Sequence, residues 1–146
     1  MPRYFTLQQA EKLLPKVEAE IRQAIILKRE HDRAEEELNA MLRQVAVAGG
    51  MLLDRQALLA RRGRRDATAA RLGEILEEVQ QIGCQVKDLD IGLLDFPTLL
   101  DGEEVLLCWK LGETSIEYWH GTTEGFRGRK RIDQQFLDNH QGYPPE

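Results

Sequence analysis

LGEILEEVQQIGCQVKDLDIGLLDFP, residues 72–97, changes its period halfway through. In the first half Leu72, Ile75, Leu76, Val79 and Ile82 recur at three- and four-residue steps, the spacing of one helix face. Beyond Gly83 the apolar residues Leu89, Ile91 and Leu93 fall at every second place, the period of a strand. Helix therefore gives way to sheet near residue 83, and the two sides of that point read differently.

On the N-terminal side the helical period continues. A helix is predicted from about Leu53 to Ile82, with Leu58, Leu59 and Ala69 extending its stripe, and another from Lys16 to about Val47. The earlier helix carries Val17, Ile21, Ala24 and Ile25, then Leu38, Met41, Leu42 and Val45, with a polar middle near Lys28, His31 and Glu35. Gly49-Gly50 interrupts the pattern and marks a turn. Folding back there gives an antiparallel, coiled-coil-like hairpin that sets Leu42 opposite Leu58, Ile25 near Leu76 and Ile21 near Val79. The same alignment brings Glu30, Asp32, Glu35, Glu36 and Glu37 opposite Arg61, Arg62, Arg64 and Arg65, a charge match that fixes register. Upstream, Thr6 and Gln9 have capping-box spacing ahead of Leu7, Ala10, Leu13 and Leu14. Pro15 is predicted to kink this leading helix or to begin the next one.

On the C-terminal side Val86 to Asp95 is predicted to be extended, with Phe96-Pro97 ending it. Asp101-Gly102 is a hairpin turn signal. Val105-Leu106-Leu107-Cys108-Trp109 is then an apolar strand expected to be covered on both faces, Trp109 packing in the core. A tight turn at Gly112-Glu113 would set Trp109 against Ile116 and Val105 against His120. From Ser115 to His120 the chain alternates, Ile116, Tyr118 and His120 on one face and Glu117 and Trp119 on the other. The last ten or so residues are expected to be mobile unless docked. The fold class is α+β, a long antiparallel helical hairpin followed by a small antiparallel β-meander. The chain is expected to form a single domain over 1–146, with the hairpin at 6–82, the meander at 83–131 and a tail at 132–146.

Composition fits that reading. The 146 residues are 42% hydrophobic and 31% charged, which suits one folded domain with a well-solvated helical surface. A net charge of -5 argues against coating nucleic acid or an anionic membrane through bulk charge. No apolar run approaches membrane-spanning length, and Met1-Pro2-Arg3-Tyr4-Phe5-Thr6 lacks the apolar stretch of a secretory leader. Cys84 and Cys108 are expected to be free thiols, and a cytoplasmic location follows as the expectation.

Specific residues also carry a resemblance. Gly83 through Pro97, Leu107-Cys108-Trp109-Lys110-Leu111-Gly112-Glu113, Tyr118-Trp119-His120 and Gly125-Phe126-Arg127-Gly128-Arg129 resemble the signature of an uncharacterised prokaryotic family, domain of unknown function number 2203. Tyr4-Phe5-Thr6-Leu7 with Ala10 and Leu13-Leu14-Pro15 fits the same pattern. The resemblance implies a family and no activity.

The acids Asp88, Asp90, Asp95 and Glu113, together with His120, are candidate ligands for a divalent metal. Asp88 and Asp90 would share one face of an extended strand, and a neighbouring carboxylate would complete an oxygen site for Mg²⁺, Mn²⁺ or Ca²⁺. His120 tilts the choice towards a transition ion, and a metal so held can activate water. Cys108-Trp109-Lys110 lacks the carboxylate two places before the lysine that an E-x-K nuclease core requires. Cys108 and His120 are not placed as nucleophile and base by the expected register, and Cys108 reads as a small core residue. Arg127 and Arg129, near Gly125 and Gly128, and the aromatic Trp119 are candidates for an anion or partner contact. The function expected is a cytosolic, non-catalytic interaction or regulatory protein that self-associates. The competing expectation is a divalent-metal-dependent hydrolase built on the acidic/His set. A second copy or another protein is the expected partner, rather than membrane or nucleic acid.

Overall fold

A computed structural model describes residues 3–47 and 54–143. The Gly49-Gly50 turn lies outside the described residues. The elements run α1 (Leu7–Val47), α2 (Arg55–Ile82), β1 (Gln85–Asp88), β2 (Leu93–Leu100), β3 (Glu103–Lys110), β4 (Tyr118–Gly121), a 3₁₀ turn (Phe126–Gly128), β5 (Lys130–Arg131), α3 (Gln134–Asn139) and β6 (His140–Gln141). The molecule is α+β, with two long helices followed by an antiparallel sheet. No helix among the described residues is long and apolar enough to cross a membrane. The chain divides into two compact units, one of Met1–Arg22 with Leu76–Glu146 and the other of Gln23–Ile75.

In the Gln23–Ile75 unit, the middle of α1 and most of α2 form the helical pair. Ala24, Ile25, Leu27, Ala34 and Leu38 of α1 and Ile75 of α2 are buried. The predicted alignment of Leu42 with Leu58 puts Glu37 level with residue 63. Glu37 indeed meets Arg61 at 3.7 Å and Arg64 at 3.8 Å. Arg65 turns instead to its neighbour Asp66. These pairs are largely exposed and each contributes at most about 1 kcal/mol, so they set register more than stability. Asp54 caps α2 by accepting from Ala57 N–H at 3.0 Å.

The other unit begins with the capping box. Thr6 N–H donates to Gln9 Oε1 at 2.8 Å, and Gln9 N–H donates to Thr6 Oγ1 at 3.1 Å. Pro15 neither starts nor ends a helix: α1 passes through it as one element. Ala10, Leu14, Val17 and Ile21 form the buried stripe of this part of α1, and Val79 lies buried on α2.

The sheet order is β1-β2-β3-β4-β5, with β6 also on β2. Asp101 and Gly102 both take positive φ, 53° and 83°, as the two-residue turn between β2 and β3 demands. The cross-strand pairs Leu94–Trp109, Phe96–Leu107 and Thr98–Val105 set one sheet face. Phe5 meets Phe96 edge-on there, with ring centroids 5.5 Å apart. Trp109 is fully buried, as expected, and its indole N–H donates to the Glu113 carbonyl at 3.0 Å. Asp95–Cys108–Tyr118 and Pro97–Leu106–His120 set the opposite face.

Three expectations about the meander require correction. Val86 to Asp95 is not one strand, because β1 ends at Asp88 and the chain turns through residues 89–92 into β2. The turn is held by Asp88 Oδ1, which accepts from Asp90 N–H at 3.0 Å, and by Gly92 at φ 66°. Phe96-Pro97 does not end the strand either. Pro97 O accepts from Phe5 N–H at 2.7 Å, on the side away from β3, so the missing proline N–H lies on the edge of β2 between the reaches of β1 and β6 and leaves the β3 ladder intact. The turn after β3 is centred on Leu111-Gly112, with Glu113 N–H on Lys110 O at 3.0 Å, and β4 starts only at Tyr118. His120 consequently pairs with Leu106, not Val105.

The tail through Tyr143 is docked. Asp133 caps α3 by accepting from Phe136 N–H at 2.8 Å, and Phe136 is buried. His140 Nε2 accepts from Leu7 N–H at 3.0 Å while its Nδ1 faces Leu137 O at 2.9 Å. Tyr143 and Tyr4 exchange two backbone bonds of 2.7 and 2.9 Å.

Candidate functional site

The face of the sheet set by Asp95–Cys108–Tyr118 holds two buried polar side chains, Asp95 and His120. Asp95 on β2 and Cys108 on β3 are direct cross-strand partners, and His120 on β4 sits one pair further along. All three are buried: Asp95 is 1% exposed, Cys108 0% and His120 4%. One ligand atom from each lies within 4.8 Å of the other two.

His120 has a defined orientation. Its Nδ1 lies 2.8 Å from Gly121 O, and a carbonyl only accepts, so Nδ1 carries a hydrogen. Its Nε2 lies 3.1 and 3.2 Å from the two oxygens of Asp95. With Nδ1 turned to the carbonyl, Nε2 and the carboxylate face each other directly. Burial pushes the Asp95 carboxyl up, while the His120 charge and hydrogen bond pull it down. Burial likewise pushes the Cys108 thiol up to about 11; Asp95 adds to that, and Arg129 opposes it. Cys108 is therefore a thiol at neutral pH and a poor nucleophile. Cys84 is also buried, and its thiol is raised, first by burial and then by Asp95.

Arg129 borders this cluster. Its guanidinium grips Glu113 through two bonds, Nη1 to Oε1 at 3.0 Å and Nη2 to Oε2 at 2.7 Å. It lies 4.0 Å from the Tyr118 ring centroid and 4.3 Å from that of Phe126, and its Nη1 reaches Cys108 Sγ at 3.9 Å. Burial opposes the charge on Arg129, but the Glu113 and Cys108 hydrogen bonds outweigh it and hold the guanidinium charged. Glu113 Oε1 also accepts from Lys110 N–H at 2.7 Å, so this carboxylate ties the turn after β3 to the arginine.

The five residues read as metal ligands have different surroundings. Asp95 and His120 meet. Glu113 is engaged by Arg129, Asp88 is exposed at the end of β1, and Asp90 lies exposed in the turn that follows. Of the residues read as anion or partner contacts, Arg129 is held inside the Glu113 pair and Arg127 is exposed in the 3₁₀ turn. Trp119 packs on Phe136 at 5.1 Å beneath Lys130. Cys108 is the member that sequence reading missed. A one-residue difference in the β3–β4 register moves a side chain to the opposite face, and the observed register puts Cys108 beside Asp95 and His120.

These features define a chain with a helical hairpin and an antiparallel sheet whose buried face carries an Asp/Cys/His cluster. A family model described as "Uncharacterized conserved protein (DUF2203)" matches residues 3–132, and the chain belongs to that family. In the same comparisons no curated protein and no solved structure matches it.

Proposed function

We propose that this chain is a non-catalytic interaction module that pairs with a second copy of itself through the Gln23–Ile75 helices. The observation that carries the reading is the charge left over on that unit. Between residues 29 and 37 α1 has five acids and two arginines, and between residues 61 and 66 α2 has four arginines and one acid. Among the described residues, only Glu37 of those five acids pairs with α2. Glu35, Glu36 and Arg62 remain exposed. A two-fold arrangement sets the acidic stretch of each copy against the arginines of the other, the self-complementarity of an isologous dimer.

Apolar surface accompanies these charges. Leu42 is 46% exposed and Leu59 56%, and Met41, Val45 and Val47 help line a groove of about 730 Å³. Clustered apolar surface of this kind favours a protein partner. The non-catalytic part of the reading rests on Cys108, which is buried and held as a thiol, and on Glu113, which is committed to Arg129.

Sedimentation equilibrium over a wide concentration range tests the proposal. A monomer–dimer equilibrium that weakens with added salt is expected, because the contacts are exposed charges. Arg62→Glu with Leu59→Glu should leave a monomer with unchanged helical circular dichroism. A wild-type chain that stays monomeric at every concentration overturns the reading.

A further inference from the structure

We infer that Asp95, Cys108 and His120 form a binding site for a single transition-metal ion of the Zn²⁺ class. Three strands each supply one donor from the same face of the sheet, and the three donor types are a carboxylate, a thiol and an imidazole. That mixture selects a borderline ion, since Mg²⁺ and Ca²⁺ prefer sets composed of oxygen.

The distances fit. Tetrahedral ligands at zinc bond lengths stand about 3.3–3.8 Å from one another. The Nε2–carboxylate separations of 3.1 and 3.2 Å fall just below that span, so the ion needs only a small outward shift of the two groups. His120 is already oriented as a ligating histidine is, with its other ring nitrogen tied to a carbonyl, here Gly121 O at 2.8 Å. This bond lies outside the cluster and fixes which ring nitrogen faces Asp95.

Charge balance also favours occupation. Ligands bind a metal in their deprotonated forms, so bonds from Nε2, the Asp95 carboxylate and the Cys108 thiolate form as protons leave to solvent, and the two negative ligands match the two positive charges of the ion. Arg129 Nη1, 3.9 Å from Cys108 Sγ, becomes a hydrogen-bond donor to the new thiolate, and Glu113 keeps the arginine neutralised. Three protein ligands leave a fourth position to water.

The test is a titration of the chelator-treated full chain with Co²⁺ and Zn²⁺, with Mg²⁺ for comparison. The expected result is one Co²⁺ per chain with an intense thiolate-to-cobalt absorption, displacement by Zn²⁺, proton release on binding, and no response to Mg²⁺. The Cys84→Ser chain, which keeps Cys108 as its one thiol, should retain the absorption. His120→Ala should weaken binding by more than the roughly 10–100-fold that loss of an outer hydrogen-bond partner costs. Asp88→Asn should bind like wild type. If the folded wild-type chain binds Co²⁺ without a thiolate band, or binds no ion, the proposal falls. Loss of the band in a folded Cys84→Ser chain overturns it as well, because the ligand would then be the other cysteine.

Discussion

Replacing Gly92 with alanine isolates the cost of a close approach in the turn between β1 and β2. Gly92 has φ 66°, and a Cβ added there would lie 2.5 Å from Leu111 Cβ. The backbone cannot simply retreat, because Leu111 N–H donates to Gly92 O at 3.0 Å. The left-handed conformation costs a residue with a Cβ about 1–2 kcal/mol. Forcing Leu111 aside adds about 1–3 kcal/mol, the usual penalty for overpacking. The expected destabilisation is therefore about 2–5 kcal/mol. Gly102→Ala supplies the comparison: its φ is 83°, but nothing lies within 4 Å of the added Cβ, so only the conformational part applies. Urea unfolding followed by tryptophan fluorescence measures both, since Trp109 and Trp119 belong to the same compact unit as the two glycines. The reasoning fails if Gly92→Ala lowers stability no more than Gly102→Ala does.

Other substitutions probe the site. A double-mutant cycle of Glu113→Ala and Arg129→Ala should give a coupling of about 1–3 kcal/mol, because the pair is bidentate and its side chains are only 24% and 15% exposed. Additive single effects in chemical denaturation would mean that the ring contacts with Tyr118 and Phe126, not Glu113, hold the arginine. In metal-free protein Asp95→Asn should cost less than about 1 kcal/mol, since an amide N–H can donate to His120 Nε2, whereas Asp95→Leu strands that nitrogen and should cost about 1–3 kcal/mol more. Equal midpoints for the two variants would show that His120 does not depend on this partner.

Much of the fold was legible because its signals are local. The three- and four-residue steps marked both helices, Thr6 and Gln9 announced a cap, and Asp101-Gly102 supplied the two positive φ angles of its turn. The turn at 89–92 was misread because Leu89, Ile91 and Leu93 continue a strand period while the chain reverses. What reverses it is a side-chain bond from Asp88 and the positive φ of Gly92, neither of which disturbs the apolar pattern. Pro97 pointed to a strand end, yet a proline is tolerated inside β2 because its nitrogen side faces Phe5 instead of β3. The candidate site was half legible. Asp95 and His120 stood out by residue type, but their meeting with Cys108 depends on pairing across three strands. That register is set by the seven-residue connection after β3, which Glu113 and Arg129 organise through contacts distant in sequence.

The bridge between Tyr4 and Tyr143 has a kinetic consequence. The β2–β3 hairpin closes around two residues and can form quickly from neighbours in the chain. The strip alongside β2 beyond β1, by contrast, is occupied by Phe5 and β6, segments from opposite ends of the described sequence. Seating them closes nearly the whole chain into one loop, and the entropy of that closure must be met before any of its contacts form. Completion of the sheet edge is therefore expected late in folding, with part of the β2 backbone open until then. A ring made by linking position 143 to position 4, and reopened between Val47 and Asp54, would turn that late step into a local one and shorten the time the edge stays bare.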